Sequence, residues 1–178
     1  MRLDLLTGLV DGARQVTSPH QDGRPSWATI DLVVLHGISL PPGDFGGPFI
    51  EDLFLGRLDP TVHPFFAGIS GLRVSAHFLI RRDGKLVQFV PVHRRAWHAG
   101  LSSYQGRGDV NSFSVGIELE GTDTVPYEDV QYDVLQALLA QLVSAYPGLA
   151  VTGHEHIAPG RKTDPGPVFD WQRIGVRP

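Results

Sequence analysis

The order of apolar and polar positions divides the chain into short strands and one long helix. Ile30-Asp31-Leu32-Val33-Val34-Leu35 is a β-branched apolar run suited to a strand buried on both faces, and it delivers His36 at its C-terminal end. Gly37 and a turn-rich loop follow, and the pattern predicts a short helix over residues 48–55 with Pro48 at its first position. Two further strands are expected at residues 76–81 and 86–90, joined by Arg82-Asp83-Gly84-Lys85, where Asp-Gly signals a hairpin. Residues 114–120 alternate, with Val115, Ile117 and Leu119 on one face and Gly116, Glu118 and Glu120 on the other. The clearest helix spans residues 126–146: Val130, Val134, Leu138 and Leu142 recur every four positions, Leu135, Leu139 and Val143 widen the stripe, and Pro147-Gly148 ends it. Residues 152–167 are too rich in glycine and proline to predict regular structure.

Strands clustered first and a long helix later point to the α/β (α+β) class, with a central mixed sheet covered by helices rather than an orderly doubly wound fold. No repeat or compositional break marks a linker, so residues 1–178 are expected to form a single domain.

Charge narrows the function classes. Fifteen Lys and Arg against 19 Asp and Glu give a net charge of -4, with no basic surplus to displace phosphate counterions, which disfavours a nucleic-acid partner. No segment approaches the roughly 20 apolar residues that span a bilayer, so no membrane partner is expected. The first residues are interrupted by Asp4, Gly8 and Asp11 and do not read as a signal peptide, which makes a cytoplasmic protein the simplest expectation. The absence of cysteine removes disulfides, thiolate ligands and thiol nucleophiles together, so any metal must use His, Asp or Glu.

Of the eight histidines, any one taken singly is more often a surface or hydrogen-bonded residue than a ligand, and position has to discriminate. His36 stands where a buried strand meets a flexible loop, a usual place to present a side chain to a cleft. His154 and His156 flank Glu155 in a stretch dense in ligand-capable groups that continues to Asp164. Zinc held by two imidazoles and one carboxylate keeps a fourth position for water, and His36, His154 and Asp164 can supply such a set, although their spacing matches no short motif such as HExxH. Glu118 and Glu120 share a strand face, so either can reach a cleft as a base, and a solvated or salt-bridged carboxylate is the bland alternative for both. Lys162 can place an ammonium near a developing oxyanion, or simply face solvent.

Five ordered blocks then converge: VVLHGISLPPGDFGGP, LRVSAHFLIRRDGKLVQFVP, RAWHAGLSSYQGR, FSVGIELEGTDT and TGHEHIAPGRKTDPGP. Together they resemble the AmpD-type 1,6-anhydro-N-acetylmuramyl-L-alanine amidases over nearly the whole chain. The resemblance implies a fold shared with T7-lysozyme-type amidases and peptidoglycan recognition proteins, and zinc on His36, His154 and Asp164. It further implies Glu118 rather than Glu120 as general base and Lys162 as transition-state stabiliser. The implied reaction is hydrolysis of the amide between the muramyl lactyl group and L-alanine in peptidoglycan fragments, during cytoplasmic cell-wall recycling, with β-lactamase regulation in some members. The implied partner is a small muropeptide bound by a monomer.

On the same basis Leu72, Arg73, Trp97, Arg107 and Ala158 are expected to line the substrate groove, with the arginines suited to stem-peptide carboxylates; Leu72 and Trp97 are equally readable as core. His77 reads as structural, and His98 stays open. Two positions depart from the family pattern: Gly37 stands where asparagine is common, and Asp109 where a second arginine is expected, which bears on fine substrate preference. A non-catalytic peptidoglycan-fragment-binding module of the same fold is the alternative.

Overall fold

The computed structural model describes residues 1–177. Its main sheet contains β1 (Arg14–Gln15), β2 (Leu32–Ile38), β3 (Phe78–Ile80), β4 (Leu86–Gln88), β5 (Ser114–Glu120) and β6 (Ala150–Gly153), in spatial order β6-β2-β5-β3-β4-β1. The pairs β6-β2, β2-β5 and β5-β3 are parallel, while β3 and β4 form an antiparallel hairpin, so the sheet is mixed. Three helices, α1 (Phe49–Phe54), α2 (Asp129–Ala145) and the single turn α3 (His154–Ile157), pack around it.

Because side chains alternate along a strand, the central strands divide two cores between their faces. Val33, Leu35, Val115, Ile117 and Leu119 meet Leu135, Leu138, Leu139 and Leu142 of α2. On the opposite face, Leu32 and Val34 pack with Val110, Phe113 and Ile157, while Leu79 and Val87 pack with Ile50, Leu53 and Phe54 of α1. His36 and Glu118 share this second face. They are polar side chains at the C-terminal edge of a sheet otherwise sealed on both sides.

Several expectations shift at element ends. β2 runs two residues past His36, because β5 keeps pairing with it out to Ile38 opposite Glu120. Pro48 is the N-cap of α1 rather than its first helical residue. α2 begins only at Asp129, and its buried face is Gln131, Tyr132, Leu135, Leu138, Leu139 and Leu142. Val130 and Val143 lie outside that face, at 39% and 46% exposure. A strict four-residue repeat drifts around a helix of 3.6 residues per turn, and the sheet selects the mixed three-and-four spacing. Residues 150–157 are regular after all: β6 pairs with the buried edge of β2, and that tertiary pairing outweighs the local glycine and proline content.

Gln131 ties α2 to the sheet. Its side-chain oxygen accepts from Glu128 N at 3.0 Å, and its Nε2 donates to the Ile80 and Glu120 carbonyls at 3.2 and 3.1 Å, the last two bonds fully buried. Gln131→Leu keeps most of the volume but strands these groups without partners, so the unfolding free energy is expected to fall by about 1–3 kcal/mol. Urea unfolding measures this, and an unchanged midpoint refutes the role given to Gln131.

Candidate metal centre

The registry of three parallel strands builds the site. Glu118 on β5 lies directly opposite His36 on β2, and Gly153, the last residue of β6, lies opposite Leu35. His154 follows one residue later. Three neighbouring strands therefore set His154, His36 and Glu118 in a row. Asp164 is brought in from the loop after α3, where its carbonyl accepts from Glu155 N at 2.9 Å. Gly153 permits that closure, since a Cβ there would stand 2.9 Å from Pro165 Cδ.

Three ligand-capable atoms converge. His36 Nδ1 lies 2.9 Å from His154 Nδ1 and 3.2 Å from Asp164 Oδ2, and His154 Nδ1 lies 3.0 Å from the same oxygen. Tetrahedral zinc with bonds of roughly 2.0–2.2 Å separates adjacent ligands by about 3.3–3.6 Å, slightly wider than this triangle. Both histidines are buried. The second nitrogen of His154 faces the Ala99 carbonyl at 3.2 Å, an acceptor only, so it carries the proton and Nδ1 presents a lone pair. Burial lowers the His36 pKa to about 4, so this imidazole is neutral at physiological pH. Burial alone would push the Asp164 carboxyl up, but the two imidazoles beside it hold it below the usual carboxylate range. Two imidazole nitrogens and one carboxylate oxygen directed at a single point make a cation site. Among the described residues, these three alone form a metal-capable group.

Glu118 stands beside them with an unmet requirement. Its Oε2 is buried and has no hydrogen-bond partner among the described residues. Burial raises its pKa well above the usual range, Asp164 adds to the shift, and the Lys162 ammonium opposes it. A buried oxygen without a donor costs free energy unless water or a ligand fills the place, and Glu118 stands directly opposite the ligand-capable His36 in the strand pairing. Glu120 is committed elsewhere: it accepts from Gly46 N at 2.7 Å, Arg81 Nη1 at 3.0 Å and Arg82 N at 3.2 Å.

Two grooves meet at exposed Lys162. One, of 450 Å³, is lined by Leu40, Phe65, Ile69, Leu72, Asp123 and Asp164 among others, and the other, of 230 Å³, by Arg73, Trp97, His98, Asn111 and His154. Leu72 is 47% exposed in the first groove, so a core role does not describe it. Trp97 is half-buried in the second, with the Arg73 guanidinium 5.5 Å from its ring centre. Arg107 lies apart from both grooves: it pairs with Asp31 at 2.7 and 3.1 Å, below the start of β2, and stacks 4.0 Å over Phe113. Ala158 is buried, and its carbonyl caps the turn that carries Arg161 and Lys162.

The two departures acquire local explanations. The Tyr127 hydroxyl, donating to Pro165 O at 2.9 Å, fills the space a side chain at Gly37 would enter. Asp109 accepts from Ser112 Oγ and pairs with Arg95, which is also bidentate to Asp22, so it anchors the loop rather than facing a ligand. His77 is structural: its Nδ1 accepts from Gly116 N at 3.0 Å, and its Nε2 faces Arg94 O at 3.0 Å. Sequence reasoning missed Asn111, whose Oδ1 accepts from His98 N and Ala99 N at 3.1 and 2.8 Å. No periodicity marks that residue.

With this geometry in place, similarity to known proteins is informative. Residues 26–167 match the profile of the N-acetylmuramoyl-L-alanine amidase family. The chain is 61% identical over 171 residues to the 1,6-anhydro-N-acetylmuramyl-L-alanine amidase AmpD of Escherichia coli (strain K12), covering 95% of this chain and 93% of that protein. It is 49% identical to the Haemophilus influenzae protein described in the same words, covering 96% and 94%. A crystal structure of a selenomethionine derivative of AmpD superposes with a TM-score of 0.95 at 59% identity, covering 98% of this chain and 97% of that one. A second structure, AmiD from E. coli in complex with the substrate anhydro-N-acetylmuramic acid-L-Ala-D-γ-Glu-L-Lys, gives 0.58 at 29% identity, covering 85% and 59%.

Proposed function

This chain belongs to the N-acetylmuramoyl-L-alanine amidase family, and from that premise we propose that it cleaves its amide at a zinc ion held by His36, His154 and Asp164. The enzyme hydrolyses the bond between the (anhydro)muramyl lactyl group and L-alanine in peptidoglycan fragments. The observation that carries the zinc assignment is the closed triangle of His36 Nδ1, His154 Nδ1 and Asp164 Oδ2 beside the unpartnered Glu118 Oε2. Zinc with an open position supplies a Lewis acid that polarises a carbonyl and brings the acidity of water from a pKa of ~9 toward ~7.

The chain's own residues do the rest. Glu118, a carboxylate with a raised pKa and an empty hydrogen-bonding place, takes a proton from the attacking water and returns it to the departing L-alanine nitrogen. Lys162, at the meeting of the two grooves, sets its ammonium against the oxyanion that develops on the lactyl carbonyl. Asp164, held ionised, offsets the positive charge of the centre. Leu72, Arg73 and Trp97 supply apolar and cationic walls for the fragment. Ala158 supports the Lys162 turn from beneath, and Arg107 acts on the scaffold through Asp31. Among the described residues no helix is long and apolar enough to cross a membrane. A cytoplasmic monomer acting on small muropeptides during wall-fragment recycling is the setting this reading favours.

Zinc-loaded protein incubated with anhydromuramyl-tripeptide is expected to release free tripeptide and the anhydro sugar, read by mass spectrometry. Binding without turnover would instead favour a fragment-binding module. Lys162→Met is expected to lower kcat by about 10²–10³-fold with little change in zinc content, the usual cost of one oxyanion donor. A kcat within threefold of wild type removes Lys162 from the mechanism.

A further inference from the structure

The side of His36 that faces away from Asp164 meets a second imidazole. His36 Nε2 lies 2.9 Å from His98 Nδ1, His98 Nε2 lies 3.2 Å from Ser114 Oγ, and Ser114 Oγ donates to the Val110 carbonyl at 2.7 Å. The protons can be followed inward from the fixed end. A backbone carbonyl only accepts, so the single Ser114 proton is committed to Val110, and the hydroxyl oxygen must accept from His98. The proton of neutral His98 is then on Nε2 and its Nδ1 is a lone pair. That lone pair takes the proton of His36 Nε2, which leaves His36 Nδ1 bare and directed at His154 Nδ1 and Asp164 Oδ2.

We propose that His98 is a positioning residue which, with Ser114, locks His36 in the tautomer whose Nδ1 is free for the metal. One main-chain carbonyl thereby selects, through two side chains, the nitrogen that binds. The packing serves this arrangement. The two rings meet edge-on, with planes at 87° and centroids 5.0 Å apart. Any Cβ at position 116 would collide with the His98 ring, so Gly116 gives the ring its place against β5. Asn111 fixes the backbone on which His98 rides. A ligating histidine whose other nitrogen is held by a hydrogen-bonding group typically loses 10–100-fold in metal affinity, order of magnitude, when that group is removed.

This inference rests on the zinc reading, and the test separates the two. Zinc affinity by chelator competition, the absorption spectrum of the cobalt-substituted protein and the melting temperature of the metal-free form are measured for wild type, His98→Leu, His98→Asn and Ser114→Ala. His98→Leu is expected to bind zinc about 10–100-fold more weakly and to alter the cobalt spectrum. His98→Asn, which returns an acceptor oxygen near the Nδ1 position, recovers most of the affinity, and the metal-free melting temperatures stay together. Unchanged affinity in His98→Leu overturns the inference while leaving zinc in place, and so does His98→Asn binding as weakly as His98→Leu, which assigns the loss to packing. Wild type that takes up no zinc overturns both readings. Should His98→Leu fail to fold, imidazole ¹⁵N NMR of wild type decides: a proton on His98 Nε2 sustains the relay, and one on Nδ1 ends it.

Discussion

Glu118→Gln is expected to lower turnover by about 10²–10⁴-fold while the protein keeps a full complement of zinc. The amide is nearly the same size as the carboxylate and cannot take a proton from water, so the substitution removes the base and little else. In wild type, kcat/KM is expected to rise with pH through the raised pKa of Glu118, because only the ionised form is a base. The variant lacks that acidic limb. Stability moves the opposite way in the metal-free protein. A carboxyl whose folded pKa is raised by burial contributes stability that is full below its ordinary, unfolded pKa and is lost as pH climbs from there through the raised folded value. Glu118→Gln has no such loss, so its metal-free form is expected to melt above wild type at neutral pH. Turnover within tenfold of wild type, at equal zinc content, removes Glu118 from the role of base.

His154→Ala is expected to abolish zinc binding at micromolar metal and reduce hydrolysis to background. It leaves one imidazole and one carboxylate, and the hole lies where two of the three short approaches were made. The effect exceeds the roughly 10–100-fold typical of groups lying behind the ligands, because a bond to the metal itself is lost. Wild type stripped with a chelator should behave as the variant does, and should recover on adding zinc, whereas the variant does not. Equal zinc per chain in wild type and variant, read by atomic absorption, would falsify the ligand assignment.

How much of this was legible in the sequence follows from the range of the interactions involved. The strand carrying His36 and the alternation placing Glu118 opposite Val115, Ile117 and Leu119 are local signals, and both faces match the structure. The buried face of α2 was only half visible, because which valines it leaves to solvent depends on where the sheet meets it. The regularity of residues 150–157 was hidden because it comes from pairing with β2, more than a hundred residues earlier in the chain. Chemistry and loop placement made the trio of His36, His154 and Asp164 possible, and the resemblance singled it out; its closure depends on a turn no periodicity encodes. The same holds for His98, whose partners His36 and Ser114 lie 62 and 16 residues away and are joined only by side-chain direction.

The strand registry has a consequence for how such a site tolerates change. Because His36 and Glu118 owe their common direction to phase along two paired strands, deleting one residue of β2 ahead of His36 would turn its imidazole toward the α2 side and silence the centre at once. Insertions between Ser39 and Pro48, in a loop bordering the larger groove, leave that phase untouched. Length variation is therefore confined to the parts that meet the ligand, so that substrate preference is free to diverge on a reaction centre that cannot.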